Sequence, residues 1–290
     1  MAIKNLIIIG ESINDSVKST HQLYETQNIE EIKSLAKFQD EKGATYIDVN
    51  VGPRSPEFMA DIIRHIQNVT HKPISIDTPG YEIAKAGLEV YDLDSSEGKL
   101  PILNSITPLR AKMFELYSIK PFMPILLVNE RIENGEAKPN DTADQIYQTA
   151  KEMAKLIKDR YSNITIGNCI FDVGIAPLAS DFNSMTKRTI DAIKKIGDDS
   201  MFKECHLSVG LSNFTVMLPS KRKSGGPVKS ALESAFLTKA MPAGLDMIIG
   251  SVKRNYKILP PEHPAMECLE DVLKLTGYDI LTRVQQFYST

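Results

Sequence analysis

Thr45–Pro53 reads TYIDVNVGP. A β-branched apolar run ends in an acid and an amide, and Gly52-Pro53 then turns the chain away. Strand side chains alternate faces with a period of two, so Asp48 and Asn50 point to the same side. An acid and an amide at the exit of a buried strand make a poor core and a sensible binding floor. The construction recurs at SID ending in Asp77, ILN in Asn104, LLVN in Asn129, FD in Asp172 and GLSN in Asn213. Together with Leu6–Gly10 and Leu245–Ile249, these runs predict eight strands, each followed by a helical pattern. An open doubly wound sheet shows the same alternation. The count of eight selects the α/β class with a (β/α)8 TIM barrel, one domain over residues 1–290 with right-handed parallel crossovers.

The connecting segments fit that count. Asn28 with Glu31 three residues on is a capping-box pattern, Ile29, Ile32, Leu35 and Ala36 form a stripe, and Gly43 is a natural stop. Phe58, Ile62, Ile66 and Val69 share a helical face after the second strand. Helices are predicted near 81–90, 109–117, 141–161, 184–196 and 230–241, with two more pieces in the tail split by Gly277. ERIENGEAKPND, residues 130–141, reads as a polar surface loop. MLPSKRKSGGPVK, residues 217–229, is the most basic and loop-like segment.

Composition removes several function classes. A net charge of −3 gives no sign of a nucleic-acid surface. No apolar stretch nears the roughly 20 residues that span a bilayer, and MAIKNLIIIGES runs straight into a strand, so a cytoplasmic setting is expected. Cys169, Cys205 and Cys268 are scattered without a CxxC pair, which predicts buried thiols and no bound metal. A GxSxG elbow, a P-loop and a dinucleotide glycine signature are all missing.

The strand ends offer Glu11, Asn14, Asp48, Asn50, Asp77, Asn104, Asn129, Asp172, Asn213 and Ser251. This set is rich in carboxylates and carboxamides and poor in His, Cys and Lys. It suits a neutral, nitrogen-rich heterocycle such as a 2-amino-4-oxo pterin. The N3–H and 2-amino group of that ring form a two-donor edge that a carboxylate accepts in bidentate fashion. Asp77 and Asp172 are the candidates for it.

GESIN at 10–14, IDVNVGP at 47–53, SIDT at 75–78, LNSIT at 103–107, FDVGIAP at 171–177 and VGLSNFT at 209–215 follow one another in order. With GLD at 244–246, this ordered set resembles the pterin-binding methyltransferases, relatives of dihydropteroate synthase. They move a methyl group between N5 of tetrahydrofolate and the cobalt of a corrinoid protein. The resemblance implies that Asp77, Asn104 and Asp172 hold the pterin and that Asp48 and Asn50 line its floor, with Glu11 close by. It places Asn213 near N5 as the catalytic residue. It further implies tetrahydrofolate or 5-methyltetrahydrofolate as substrate, a homodimer, and a corrinoid carried by a separate partner protein. A cobalt-ligating DxHxxG signature is absent here. The long basic loop after Asn213 departs from the acetogenic relatives and leans the reading toward demethylation systems, in which the methyl passes from corrinoid to tetrahydrofolate. Two alternatives stand beside it. One is dihydropteroate synthase, against which GESIND replaces that family's NVTPDSFSDGG. The other is a binding subunit without turnover.

Overall fold

The computed structural model describes residues 3–290. Eight parallel strands close into a barrel: β1 (Ile7–Asn14), β2 (Tyr46–Asn50), β3 (Ile74–Asp77), β4 (Ile102–Ile106), β5 (Met123–Leu127), β8 (Ile170–Asp172), β9 (His206–Gly210) and β10 (Met247–Gly250). The ring closes where β1 pairs with both β10 and β2. Around it lie α1 (Lys18–Glu25), α2 (Ile29–Glu41), α3 (Pro56–Gln67), α4 (Tyr81–Val90), α5 (Ala143–Arg160), α6 (Met185–Gly197) and α8 (Lys229–Ala240). The four-residue α7 (Leu211–Phe214) sits at the exit of β9, and α9 (Pro264–Val272) and α10 (Tyr278–Ser289) complete the chain. The eight-strand barrel expected from the alternation is the one observed.

Period-two alternation sorts each strand. Ile47 and Val49, Ile74 and Ile76, and Phe171 face the helices and join the outer core with Ile62 and Ile66 of α3. Burying each such side chain contributes on the order of 1.5–3 kcal/mol. Ile9, Tyr46, Ile102, Ile125, Ile170 and Met247 point inward and fill the barrel with a separate apolar layer. Two residues further along these strands, the inward positions become Asp48, Asn104 and Asp172. The barrel is therefore oily at its base and polar toward the carboxyl ends of its strands.

Local signals account for most boundaries. The Ser55 side chain accepts from the Phe58 N–H at 3.3 Å, and Pro56 opens α3. Asn28 caps α2 by accepting from Glu31 N–H, and Gly43 follows the helix at φ +87°. A full reciprocal capping box forms instead at Thr142 and Gln145, at the start of α5. Gly277 splits the last two helices at φ +59°. Cys169 and Cys268 are buried free thiols and Cys205 is half-buried, all pushed up in pKa by burial.

Four expectations are corrected. The first strand does not stop at Gly10. GESIN stays extended to Asn14, with a register shift between Gly10 and Ile13, because Ile13 and Asn14 pair with Val49 and Asn50. The segment ERIENGEAKPND is not an unstructured loop. It holds an antiparallel hairpin of β6 (Glu130–Glu133) and β7 (Glu136–Pro139). Asn134 and Gly135 both have positive φ at its tip, the geometry an Asn-Gly pair favours. The helix expected over 109–117 is a 3₁₀ run, Pro108–Ser118, kinked at Arg110. The seventh barrel strand, β9, ends at Gly210, and Ser212-Asn213 lie on α7. The short helix α1 was not foreseen.

Candidate active site

The inward polar positions form hydrogen-bonded groups across neighbouring strands. Parallel register sets Asp48 beside Ser75, Asp77 beside Asn104, and Asp172 beside Ser208. Asp48 Oδ1 accepts from Ser75 Oγ at 2.6 Å and from Asn104 Nδ2 at 3.4 Å. Asp77 Oδ2 accepts from Asn50 Nδ2 at 3.0 Å and from Asn14 Nδ2 at 3.5 Å. Asn50 Oδ1 in turn accepts from Gly52 N–H at 2.8 Å, so the floor residue is oriented by its own turn.

Burial, and then the charge of Asp77, push the Asp48 carboxyl well above the ordinary carboxylate range. Its Oδ2 is buried without a partner. Burial also raises Asp77, offset by the Asn50 hydrogen bond. Two adjoining buried acids do not both ionise cheaply, and we assign the proton to Asp48, the more deeply buried of the pair. Asp172 accepts from Gly174 N–H and from Ser208 Oγ, each at 2.8 Å. These bonds only partly offset its burial, which lifts its pKa to about 6.

Asn213 approaches these groups from α7. Its amide folds back over Gly210, where a Cβ would stand 3.0 Å from Nδ2. Asn104, Asp172 and Asn213, together with Ser105, Asn129 and Gly174, line a cavity of about 240 Å³ at the carboxyl end of the barrel. Asp48 joins it through its hydrogen bond to Asn104, and Asp77, bonded to Asn50, lies close enough to Asp48 for its charge to be felt. A larger cavity of about 850 Å³ lies on the outer face of α5. Lysine stems and apolar side chains line much of it, without the converging amides and buried acids found at the barrel mouth. A binding site needs such converging polar groups.

Glu11 stands apart from the cavity lining. It is half-buried within β1, accepts a hydrogen bond from Ser212 Oγ on α7, and is raised in pKa by burial. Asn14, Ser75 and Ser208 belong to the hydrogen-bonded groups but were not singled out as site residues. The same alternation that selected Asp77 points to Ser75, two residues before it. Asn129 packs against Gly174, whose φ is +69° and whose added Cβ would lie 2.8 Å from Asn129 Cβ. In the basic loop, Arg222 stacks on Phe287 at 4.8 Å and donates to Thr290 Oγ1 at 2.8 Å. That loop is therefore tied to the C-terminal helix. Among the described residues, no group of three or more His, Cys, Asp or Glu is placed to hold a metal ion, and no helix is long and apolar enough to cross a membrane.

A methylcorrinoid:tetrahydrofolate methyltransferase of Eubacterium limosum is 26% identical over an alignment of 259 positions that covers 84% of each chain. The dihydropteroate synthase of Thermus thermophilus superposes with a TM-score of 0.58 at 12% identity over 94% of each chain. That of Vibrio fischeri gives 0.56 at 14% over 96% of each. At such identities the two structures speak for the barrel alone. The pterin binding enzyme family matches residues 11–250, a span that runs from Glu11 to the end of β10. The chain belongs to the pterin binding enzyme family.

Proposed function

We propose that this protein transfers a methyl group between the cobalt of a separate corrinoid protein and N5 of tetrahydrofolate. The favoured direction yields 5-methyltetrahydrofolate. The observation that carries the reading is the meeting of Asn104, Asp172 and Asn213, from β4, β8 and α7, in one cavity, with Asp48 bonded to Asn104 at its edge. The name of the Eubacterium limosum relative supports the substrate pair and the direction.

In this reading Asp172 and Asp77 accept the donor edge of the pterin, Asn104 bridges them, and Asp48 and Asn50 hold the floor. N5 attacks the methyl carbon as the cobalt–carbon bond breaks, and the electron pair stays on the metal. The Asn213 carboxamide oxygen accepts a hydrogen bond from N5–H as the amine becomes cationic, and the proton then passes to solvent to leave neutral 5-methyltetrahydrofolate. Run backwards, the same oxygen steadies the proton that makes N5 a neutral leaving group. No strong acid or base is required, and orientation of two reactants supplies most of the acceleration. The corrinoid protein docks over the open end of the barrel, and the chain works as a cytoplasmic homodimer.

Anaerobic incubation with methylcobalamin and tetrahydrofolate, followed by the cobalt spectrum and by chromatography of the folate, tests the proposal. Loss of the methyl–cobalt band with formation of 5-methyltetrahydrofolate is expected. Pterin binding without that change would leave a binding subunit. Dihydropteroate formed from p-aminobenzoate and a pterin pyrophosphate would select the synthase.

A further inference from the structure

α8 carries a glutamate that the proposed chemistry leaves unused. Glu233 is wholly buried, and it accepts a hydrogen bond from Thr215 Oγ1, itself wholly buried. Its other oxygen, Oε2, lies 3.3 Å from Arg254 Nε. Thr215 is the residue that ends α7, the helix bearing Asn213. One turn further along α8, Phe236 packs on Phe214 with ring centroids 5.3 Å apart. One turn earlier, Lys229 Nζ donates to the Val216 carbonyl at 3.3 Å. Positions 229, 233 and 236 share one helical face, so a single face of α8 grips residues 214, 215 and 216 in succession. The other end of α7 is gripped by Glu11 through Ser212, and Arg254 carries the positive charge that both glutamates feel.

A four-residue helix has little stability of its own, because nucleating a turn costs more than its few hydrogen bonds return. Its placement must come from these side chains. We propose that Glu233 is a positioning residue for Asn213, fixing the orientation of α7 so that the carboxamide meets N5. This rests on the functional reading above. Glu233 touches no substrate in that picture and acts only through Thr215. Small misplacements of a reacting group cost up to about 100-fold in rate.

Two variants remove the same hydrogen bond from opposite sides, Glu233→Ala and Thr215→Val. Glu233→Gln keeps an acceptor for Thr215 and serves as the conservative control. Two readouts are taken on the full chain: hydrogen exchange in the peptide covering residues 211–216, and kcat for methyl transfer beside Kd for tetrahydrofolate. Faster exchange confined to that peptide is expected in E233A and T215V. Their kcat should fall roughly 10- to 100-fold while Kd stays within about threefold, and E233Q should recover most of the loss. Unchanged exchange in both would overturn the proposal, as would exchange that rises with no effect on kcat. Equal losses in kcat and affinity, or loosening spread over the whole barrel, would also overturn it by pointing to a merely structural role. Should the unaltered protein transfer no methyl group, the functional reading fails, and the exchange data still decide whether Glu233 holds α7.

Discussion

Replacing Asp172 with Asn tests the electrostatics of the site with one atom changed. Burial raises this carboxyl from 3.8 to about 6, so the unliganded protein holds an acid that resists ionisation. The difference of about 2 pKa units corresponds to about 3 kcal/mol of strain at neutral pH. The sign follows from linkage. For an acid raised on folding, stability is fully present below the unfolded pKa and is lost as pH climbs through the folded one, here between roughly 4 and 6. The replacement amide carries no charge at any pH. It keeps an acceptor for Gly174 N–H, and the Ser208 hydroxyl can turn to accept from its Nδ2. The variant should therefore match the parent near pH 4 and be more stable by up to about 3 kcal/mol at pH 8, a rise of roughly 6 °C in midpoint. Affinity should move the other way. An amide offers one acceptor and one donor to a two-donor edge, so tetrahydrofolate binding should weaken roughly 30- to 100-fold. Thermal melts of the free protein from pH 4 to 8 and anaerobic calorimetry read both quantities. If the two melting curves run parallel across that range, or if the variant binds pterin as tightly as the parent, the buried carboxylate is not what the ligand relieves.

Asn213→Ala should lower kcat about 100-fold or more and change tetrahydrofolate affinity by less than about threefold, since the amide acts on N5 and not on the recognition edge; single-turnover kinetics beside calorimetry separate the two. Asp48→Asn should be nearly silent in both stability and pterin binding, within about 1 kcal/mol, because burial and the Asp77 charge already disfavour an ionised Asp48; a large loss of binding in calorimetry would mean that it works as an anion. Gly174→Ala should destabilise the fold by about 1–3 kcal/mol, because φ +69° is unfavourable to alanine and the new Cβ meets Asn129 at 2.8 Å. Denaturant midpoints check this, and an unchanged midpoint would contradict it.

The barrel was legible in the sequence because its signals are local. Apolar runs of a few residues, period-two alternation and capping residues such as Asn28 depend only on neighbours along the chain. Eight repeats of strand and helix leave few topologies open. Asp48, Asn50, Asp77, Asn104 and Asp172 stood out for the same reason, as polar residues near strand ends that would otherwise be buried for nothing, whereas Asn213 lies on α7 beyond its strand. GESIN was misread because polar residues in an extended segment look like a loop until β2 provides its hydrogen-bond partners. The hairpin carried its Asn134-Gly135 signal in plain view, but its short, polar strands resemble surface coil.

Other features existed only once the chain had closed. Register alone put Ser75 beside Asp48 and Ser208 beside Asp172, residues separated by 27 and 36 positions. Burial depth, which no stretch of sequence reports, lifted the Asp172 pKa to about 6 and pushed Asp48 well above the ordinary carboxylate range. The hold on α7 by Glu11 and Glu233 joins β1, α7 and α8 across as many as 201 residues. Alternation and capping are properties of neighbours, so the sequence alone could determine the barrel and its polar exits. The proton inventory and the aim of Asn213 depend on which distant groups share a low-dielectric space, and only the tertiary structure decides that.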